Sequence, residues 1–521
     1  MKIRPIRIFS RSAVFELDNV SCYFSDTPYD LYLDNKRIIE NGTKNVFSVY
    51  SLLPKTSYRL TLKEKETKTE TSLCFETSAE SFLLDVAKFG AVPDGKTDCT
   101  AAIQAAISCC PAGGTVCFTA GIYLSGPLFL KSDSTLLLEK GAVLLGIPNR
   151  SHYPVLPGVT LSADEQNEYY LGTWEGNPLS CYAALLNGIN LQNVIITGKG
   201  TIDANAQNGD WWENPKQKKI AWRPNTVFFS NCKNVTVHGI SLQNSYSWTL
   251  HPYFCSDFHC LDVSICNPPD SPNTDGIDPE SCENVRIIGT HISVGDDCIS
   301  IKSGKLFMAL NRRTPCCGIT VRNCFMENGH GGVAIGSEVA AGVYQVHISQ
   351  CFMRSTDRGL RMKTRRGRSR LSVLDDILFE NIRMEHVLTP LVVGMFYFCD
   401  PDGHSPYVYT KEPLPVDERT PSIKKLVCRN IRCINCSVAG VYLYGLPEMP
   451  IEEVKLENLF LSFSPNAQAG YAAMMDYAEK QCRKGIFARN VRLLCLNNIT
   501  VINYDGEEMD LDGIDQIEKG I

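Results

Sequence analysis

Long apolar runs are missing from the sequence. No stretch of about 18 consecutive apolar residues occurs, so we expect no membrane-spanning helix. An excess of positive charge is missing too: the formal net charge is -6, whereas nucleic-acid-binding proteins are more often basic. Residues 1–19 include basic side chains but no apolar segment of signal-peptide length, which predicts a cytoplasmic location. Neither a membrane nor a nucleic acid is therefore expected as a partner.

Regularly paired cysteines are absent as well. The chain has 23 Cys, an odd number, and no CxxC pair meets a second one at zinc-finger spacing. Small secreted scaffolds pair their cysteines, so we expect mostly reduced, buried thiols and no structural metal here. Four cysteines that follow Asn, Ser or Gln beside predicted strands are expected to pack inside the core, namely Cys232, Cys282, Cys324 and Cys351.

Residues 1–80 differ from the rest of the chain. Short segments such as 13–17 and 57–62 alternate between apolar and polar residues, and turn residues separate them. This pattern predicts a small antiparallel β-sandwich. Residues 52–60 resemble the region around the core tyrosine of fibronectin type III domains. We therefore predict two domains, residues 1–80 and residues 81–521.

From residue 85 onward the sequence repeats itself loosely. Asn193-Val194-Ile195-Ile196-Thr197-Gly198 returns as a similar string at 234–239 and again at 284–289. Strand repeats separated by about 25 to 50 residues favour a solenoid, and we predict a right-handed parallel β-helix within an all-β fold. One helix, Thr97 to Cys109, is expected to cover one end of it.

Four short segments carry the residues best suited to chemistry. They are Asn273-Thr274-Asp275, Gly295-Asp296-Asp297, Gly329-His330-Gly331 and Arg361-Met362-Lys363. Their separations of about 20 to 35 residues correspond to one coil each, and residues one coil apart stack on the same face. We therefore expect three carboxylates, an imidazole and two cations to converge on one outer groove.

These side chains suit glycoside hydrolysis. That reaction needs one carboxylic acid to protonate the leaving oxygen and a second carboxylate to activate water or to attack. Arg361 and Lys363 are two residues apart and so lie on one side of a strand, where they could bind a substrate carboxylate. Taken singly, Asn273-Thr274-Asp275 and Gly295-Asp296-Asp297 are also ordinary turn strings, and Gly329-His330-Gly331 is a weak signal. Arg358 to Arg370 could be a solvated basic loop or a phosphate-binding patch.

The four segments in this order resemble glycoside hydrolase family 28, the polygalacturonases. The stretch 273–304 carries the closest likeness, and residues 89–98, 113–116, Arg223-Pro224, Trp248 and His251 extend it over roughly residues 84 to 500. Members of this family are right-handed parallel β-helices that hydrolyse α-1,4 bonds of polygalacturonate with inversion. Bacterial exo-acting members often carry an N-terminal fibronectin-like domain, so a bacterial origin is expected.

The resemblance implies a role for each residue. Asp296 would be the general acid, and Asp275 and Asp297 would hold and deprotonate the attacking water. His330 would support the protonation state of the acid, and Asn273 would orient the cluster. Arg361 and Lys363 would bind the galacturonate carboxylate, and Tyr397 would stack against a sugar. No metal or other cofactor is implied.

Three long segments are expected to close one end of the groove, namely Leu156 to Trp174, Asn208 to Trp222 and Pro401 to Pro421. Together with the absent signal peptide they favour an exo mode on pectic oligosaccharides. Trp211, Trp212 and Trp222 could either stack on sugars or pack these insertions. The alternatives are hydrolysis of xylogalacturonan or rhamnogalacturonan, a calcium-dependent pectate lyase, and a glycan-binding β-helix without activity. The oligomeric state stays open.

Overall fold

The N-terminal part is a sandwich of two antiparallel sheets. The computed structural model describes residues 2–520. In sheet order, the first sheet consists of Lys2–Ile8, Ser12–Asp18 and Val46–Tyr50. In the same way, the second consists of Lys36–Lys44, Phe24–Leu33, Ser57–Glu64 and Glu70–Glu76. Phe15, Leu31, Phe47 and Leu60 are buried between the two sheets and form a separate core.

The rest of the chain is a right-handed parallel β-helix whose strands stack in three parallel ladders. The first ladder contains Leu83–Asp85, Gly114–Phe118, Ser134–Leu138, Gln192–Gly198, Lys233–His238, Ser256–Leu261, Glu283–Ile288, Cys316–Arg322 and Val343–Ser349. The second contains Asp94–Asp98, Gly121–Ser125, Ala142–Gly146, Thr201–Asp203, Ser241–Gln243, Ser264–Cys266, His291–Ser293, Phe325–Glu327 and Phe352–Arg354. The third contains Leu128–Phe129, Leu186–Ile189, Val227–Ser230, Leu250–Tyr253, Asp297–Ile301, Gly331–Ile335, Arg358–Lys363, Thr389–Gly394 and Ala439–Tyr444.

Longer strands continue these ladders towards the C-terminus. Val373–Glu385, Lys425–Cys436 and Ile451–Phe463 run through the first and second ladders, and Lys484–Ile502 pairs in all three. Met509–Lys519 forms the last rung. The remaining short elements are the strands Val155–Leu156, Thr160–Leu161, Glu168–Tyr169, Cys181–Tyr182 and Ser422–Ile423, the helices Leu306–Asn311 and Pro406–Tyr409, and the 3-10 turns Val86–Phe89, Arg150–His152, Ala206–Asn208 and Pro401–His404.

The repeated Asn-Val strings mark the corner at which three strands of the first ladder begin, namely Gln192–Gly198, Lys233–His238 and Glu283–Ile288. Asn193, Asn234 and Asn284 all have left-handed φ values, which asparagine tolerates better than β-branched residues do. The Asn234 amide donates to Asn193 Oδ1 at 2.7 Å on the preceding coil. The repeat therefore reports a stacked corner, with a hydrogen bond from coil to coil and a β-branched strand after it.

The predicted end helix is shorter than expected. It spans Thr100–Cys109, because Asp94–Asp98 is a strand that pairs with Gly121–Ser125. Asp98 Oδ1 accepts from the Thr100 backbone N–H at 2.9 Å just before the helix. Ile103, Ala106 and Ile107 are its buried residues and cover the end of the β-helix core.

The expected cysteine packing is confirmed. Cys232, Cys282, Cys324 and Cys351 are all buried in the continuous core of the β-helix. Within residues 2–520, every cysteine is a free thiol. No helix of that region is long and apolar enough to cross a membrane.

Candidate active site

The third ladder brings the four predicted segments together. The segment containing Asp275 continues this ladder, because Ile277 bridges both Leu250 and Ile299. Asp297 begins the strand Asp297–Ile301, and the His330 backbone N–H donates to the Asp296 carbonyl at 3.0 Å. Consecutive coils therefore place these groups side by side.

Arg361 and Lys363 reach the same place from the strand Arg358–Lys363. Met362, between them, is fully buried in the core, as strand alternation requires. Arg361 Nη1 lies 3.1 Å from Asp297 Oδ1, and Lys363 Nζ lies 2.6 Å from Asp297 Oδ2. Both cations therefore hold the Asp297 carboxylate between them.

The three aspartates form a tight, mostly buried cluster. Asp275, Asp296 and Asp297 each offer a carboxylate oxygen, and these oxygens lie within 4.8 Å of one another. Burial alone would raise the pKa of Asp297, but Lys363 and Arg361 outweigh it and hold that pKa below its ordinary value. Asp297 is thus the carboxylate that stays ionised.

Asp275 behaves in the opposite way. Burial, and next the charge of Asp296, hold the pKa of Asp275 well above its ordinary value. The same holds for Asp278, whose pKa is raised by burial and by Asp275, and whose two carboxyl oxygens have no hydrogen-bond partner. The cluster therefore retains protons that separate carboxyls would lose.

Asp296 is the most open of the three catalytic candidates, with 24% of its side chain exposed. His330 Nδ1 lies 3.5 Å from Asp296 Oδ1. Burial would raise the pKa of Asp296, but the contact with His330 lowers it, and the same contact raises the pKa of His330. The two groups behave as one proton-holding pair.

Asn273 and Tyr397 also lie where the sequence placed them, beside the aspartates. Asn273 Oδ1 accepts from Arg223 Nη2 at 2.7 Å, which fixes the amide at the mouth of the site. The Tyr397 ring lies 5.7 Å from the Arg361 guanidinium carbon and 5.4 Å from Lys363 Nζ. Asn273, Tyr397, Lys363 and the three aspartates thus line one cleft, and His330 and Arg361 contact two of those aspartates.

A cleft of about 450 Å³ runs past this group. Besides the predicted residues, its lining includes Lys302, Glu338, Asp400, Lys216 and Glu175. Sequence reasoning missed these groups, because Lys302 and Glu338 sit in ordinary Ser-Gly and Gly-Ser strings.

Lys302 and Glu338 form a buried ion pair next to the aspartates. Lys302 Nζ lies 3.2 Å from Glu338 Oε2, 3.6 Å from Asp278 Oδ1 and 4.4 Å from the centre of the Trp248 ring. Burial would raise the pKa of Glu338, but Lys302 and Lys305 hold it below its ordinary value. This carboxylate is therefore ionised although its side chain is only 10% exposed.

Two insertions meet at this end of the cleft. The Lys305 backbone N–H donates to the Gly176 carbonyl at 3.0 Å, and Lys305 Nζ lies 2.7 Å from Asp400 Oδ1. Gly176 has φ +79° and lies so close to Glu338 that a Cβ there would be 2.8 Å from its Cγ. The turn at Gly176 and the segment at Asp400 are therefore tied together through Lys305, and Glu175 and Asp400 both line the cleft.

The solvated or phosphate-binding interpretation of Arg358 to Arg370 is wrong for its central arginines. Arg365, Arg366 and Arg368 are all buried. Arg365 Nη2 lies 2.9 Å from Asp402, and Arg366 Nε lies 2.6 Å from Glu448. Arg365 and Arg368 hold the segment 400–402 and Arg366 pairs with Glu448, so all three are paired inside the protein.

The tryptophans of the insertions pack against the protein. Trp211 is fully buried beside Tyr246, and Trp222 stacks on Trp174 at 4.7 Å between ring centres. Trp212 Nε1 donates to the Ser245 carbonyl at 2.9 Å. The packing interpretation of Trp211 and Trp222 is therefore the correct one, and Trp248 is the indole that lines the cleft.

The three aspartates are also the one group within residues 2–520 whose ligand atoms could hold a metal ion together. Carboxylate oxygens suit hard cations such as Ca²⁺ or Mg²⁺. Here, however, Arg361 and Lys363 already occupy the Asp297 carboxylate. The negative charge of Asp297 is therefore balanced by Arg361 and Lys363, which are side chains of the protein itself.

Comparison with known proteins agrees with this geometry. The family model described as glycosyl hydrolases family 28 matches residues 136–470, and a model described as rhamnogalacturonase A/epimerase, pectate lyase-like, matches residues 83–160. A probable polygalacturonase of Vitis vinifera is 30% identical over 73% of this chain and 74% of its own length. An endo-polygalacturonase of Pectobacterium parmentieri is 31% identical over 57% of this chain and 72% of its own.

The fold has a solved counterpart along its whole length. A family 28 exopolygalacturonase of Yersinia enterocolitica superposes with a TM-score of 0.73 at 20% identity, covering 99% of this chain and 98% of that one. At this identity the likeness supports the fold, including the N-terminal sandwich, whereas the family model covers most of the chain at the level of sequence. The chain therefore belongs to glycosyl hydrolase family 28.

Proposed function

We propose that this protein hydrolyses α-1,4-galacturonosidic bonds of polygalacturonate and oligogalacturonides. The observation that carries the proposal is the contact of Asp297 with both Arg361 and Lys363 inside a cleft that also holds Asp275 and Asp296. Carboxylates perform the acid–base chemistry of glycoside hydrolysis, and paired cations beside them suit a uronic acid.

In the proposed reaction the Asp296–His330 pair supplies one proton. A proton on His330 with ionised Asp296, and a proton on Asp296 with neutral His330, are two forms of the same state. Asp296 faces the cleft and delivers that proton to the glycosidic oxygen as the bond from C1 to that oxygen breaks. The Asp296–His330 pair has then lost one proton, which it regains from solvent.

Water attacks C1 from the opposite face. Its proton passes to Asp275 or Asp297, of which Asp275 is the better acceptor when ionised, because its pKa is raised. Inversion follows from the family resemblance and not from the carboxylate spacing, since inverting enzymes usually separate their carboxyls by about 6.5–9.5 Å. Proton NMR of the first product anomer tests this point.

We further propose that the enzyme is exo-acting on pectic oligosaccharides. The relatives include an endo-acting protein, so family membership leaves the mode open. What supports the exo mode is the turn at Gly176, tied to Lys305 and lying against Glu338 across one end of the cleft.

Products from trigalacturonate and polygalacturonate, followed by chromatography and ultraviolet absorbance, test the whole proposal. Monogalacturonate as the sole early product supports exo-hydrolysis, and a ladder of saturated oligomers would make the enzyme endo-acting. An absorbing, unsaturated product that is no longer formed when EDTA is added would show that the reaction is calcium-dependent elimination and not hydrolysis. If neither substrate gave a product but xylogalacturonan or rhamnogalacturonan did, the substrate would be that other pectic glycan.

For the N-terminal region we propose a fibronectin type III-like domain over residues 1–80, followed by the catalytic domain over residues 81–521. The support is the three-plus-four arrangement of antiparallel strands and the Tyr58 hydroxyl, which accepts from the Leu53 backbone N–H at 2.9 Å. A tyrosine bonded to backbone a few residues upstream is a feature of such sandwiches. Limited proteolysis with cuts near residue 80 would test the boundary.

A further inference from the structure

The closed end of the cleft combines fixed negative and positive groups. Glu338 Oε2 faces Lys302 at 3.2 Å, and Ser337 Oγ donates to Glu338 Oε1 at 3.2 Å. Asp400 stands beside them, paired with Lys305 at 2.7 Å. Ionised carboxylates only accept hydrogen bonds, so the lone pairs that these partners leave free favour donors in whatever fills this end of the cleft.

A galacturonate unit offers donors and an anion at the same time. Its ring hydroxyls are donors and suit Glu338 and Asp400, whereas its own carboxylate would be repelled by them. Among the cations that line the same cleft, Lys363 and Lys216 are paired with neither Glu338 nor Asp400, and they suit that carboxylate. The charges therefore favour one orientation of the sugar, with hydroxyls towards Glu338.

The wall beside Glu338 also determines which sugar unit of the substrate can bind there. The turn at Gly176 and the backbone of Lys305 lie beyond Glu338, so a bound oligogalacturonide would not extend further in that direction. A non-reducing terminal galacturonate has a free axial 4-hydroxyl, and every internal unit has that oxygen in a glycosidic bond. A reducing end would instead present an anomeric hydroxyl that interconverts between two configurations, which a fixed, buried acceptor matches less well.

We propose that Glu338 is a specificity-determining residue that accepts a hydrogen bond from the free 4-hydroxyl of the non-reducing terminal galacturonate, with Asp400 beside it as a second acceptor. This inference rests on the proposed function and adds to it the group by which a chain end is recognised. A site built to bond a substrate hydroxyl rejects an analogue that lacks it far more strongly than an apolar pocket does.

Trigalacturonate and its 4,5-unsaturated counterpart provide the test, because the unsaturated trimer has no 4-hydroxyl at its non-reducing end. We expect the wild-type enzyme to cleave the saturated trimer with a kcat/KM at least about 100-fold higher. Labelling the reducing end of the saturated trimer should show release from the opposite end. Equal rates on both trimers, or release from the labelled end, would overturn the inference while leaving hydrolysis established.

Glu338→Gln separates hydroxyl recognition from the flattened ring of the unsaturated sugar. Gln can still donate and accept but loses the charge, so we expect the saturated trimer to lose most of its advantage and both trimers to be cleaved at similar, low rates. If the ratio of kcat/KM between the saturated and the unsaturated trimer stayed unchanged, Glu338 would not be the group that binds the 4-hydroxyl. Because the variant leaves Lys302 unpaired, its thermal unfolding is measured alongside, and the wild-type comparison stands even if the variant does not fold.

Asp402→Asn is the matched control. Asp402 pairs with Arg365 on the same closing segment, its side chain is 69% exposed, and it does not line the cleft. We expect it to keep the wild-type ratio between the two trimers. Failure of every variant and of the wild type on the saturated trimer would instead contradict the proposed function.

Discussion

Asp296 and His330 are the residues on which proton delivery depends. We expect Asp296→Asn to lower kcat by about 100- to 10,000-fold, because the amide cannot donate the proton that the leaving oxygen needs. The melting temperature should hold or rise, since the substitution removes a negative charge from the Asp275–Asp297 cluster. Steady-state kinetics on trigalacturonate and thermal unfolding measure the two effects. A loss of less than about 10-fold in kcat would remove Asp296 from the role of acid.

His330 should set the alkaline limit of activity. Its pKa is raised by Asp296, so the pair keeps its last proton until the pH passes that raised value, and activity falls above it. In His330→Gln, Asp296 must hold the proton alone, and a carboxyl loses it at lower pH. We therefore expect the alkaline limb of kcat/KM to move to lower pH, while the acid limb, which follows protonation of Asp275, stays in place. If His330→Gln lowered kcat/KM without moving its alkaline limb, His330 would act in substrate binding and not in proton delivery.

Among the structural elements, the turn at Gly176 decides how the cleft ends. Gly176→Ala combines a strained φ of +79° with a Cβ 2.8 Å from Glu338 Cγ and 2.9 Å from the Lys305 nitrogen, so the turn must move outward. We expect kcat/KM on trigalacturonate to fall about 10- to 100-fold and larger products to accompany monogalacturonate from polygalacturonate. Gly90→Ala is the control, because Gly90 has φ +97° and no atom within 4 Å of its virtual Cβ. Unchanged products from Gly176→Ala would show that the turn does not define the end of the cleft.

The repeating elements were predictable from the sequence, and the insertions were not. The Asn-Val strings at 193, 234 and 284 report corners of the β-helix, the first two one coil apart and the third two coils further on. The coil period also aligns Asp275, Asp296, His330 and Arg361. Glu338 does lie one coil after Lys302, at a separation of 36 residues, but nothing in its own string marks it as a site residue. Asp400 follows no period, because Lys305 holds it at the cleft from a distant part of the chain. The buried arginines were misjudged for the same reason: a basic run looks solvated when its partners Asp402 and Glu448 lie far along the chain.

At the scale of the whole molecule, the N-terminal sandwich packs on the β-helix, and its described residues line no part of the cleft. Glu16, buried in the sandwich, accepts from Arg322 Nη2 at 2.7 Å and from Asn323 Nδ2 at 2.8 Å on the β-helix. The residues that line the cleft all come from positions 175 to 474. The two parts therefore share a buried polar interface whose integrity depends on the charge state of its members.

His238 is one of the groups that make this interface sensitive to pH, together with His259 beside Arg7 and Asp262 beside Ser48. It lies between the rings of Phe9 and Tyr50, and its ring nitrogens contact Thr197 Oγ1 at 2.8 Å and Ser48 Oγ at 2.9 Å. Burial lowers the pKa of His238 to about 3, so the folded protein keeps it neutral. The unfolded chain protonates it below about pH 6.5, and the free energy of unfolding should therefore fall by up to about 1.4 kcal/mol per pH unit from pH 6.5 towards pH 3.

His238→Gln removes this titration while keeping a polar side chain at the interface. We expect the variant to be less stable than the wild type at pH 7, but to lose less melting temperature between pH 6.5 and pH 4. His386→Gln, at an exposed histidine, is the control and should follow the wild-type slope. Thermal unfolding at a series of pH values measures both. Because the cleft takes no residue from the sandwich, KM at pH 7 should stay unchanged in both variants; parallel pH slopes for wild type and His238→Gln would show that another buried group controls acid stability.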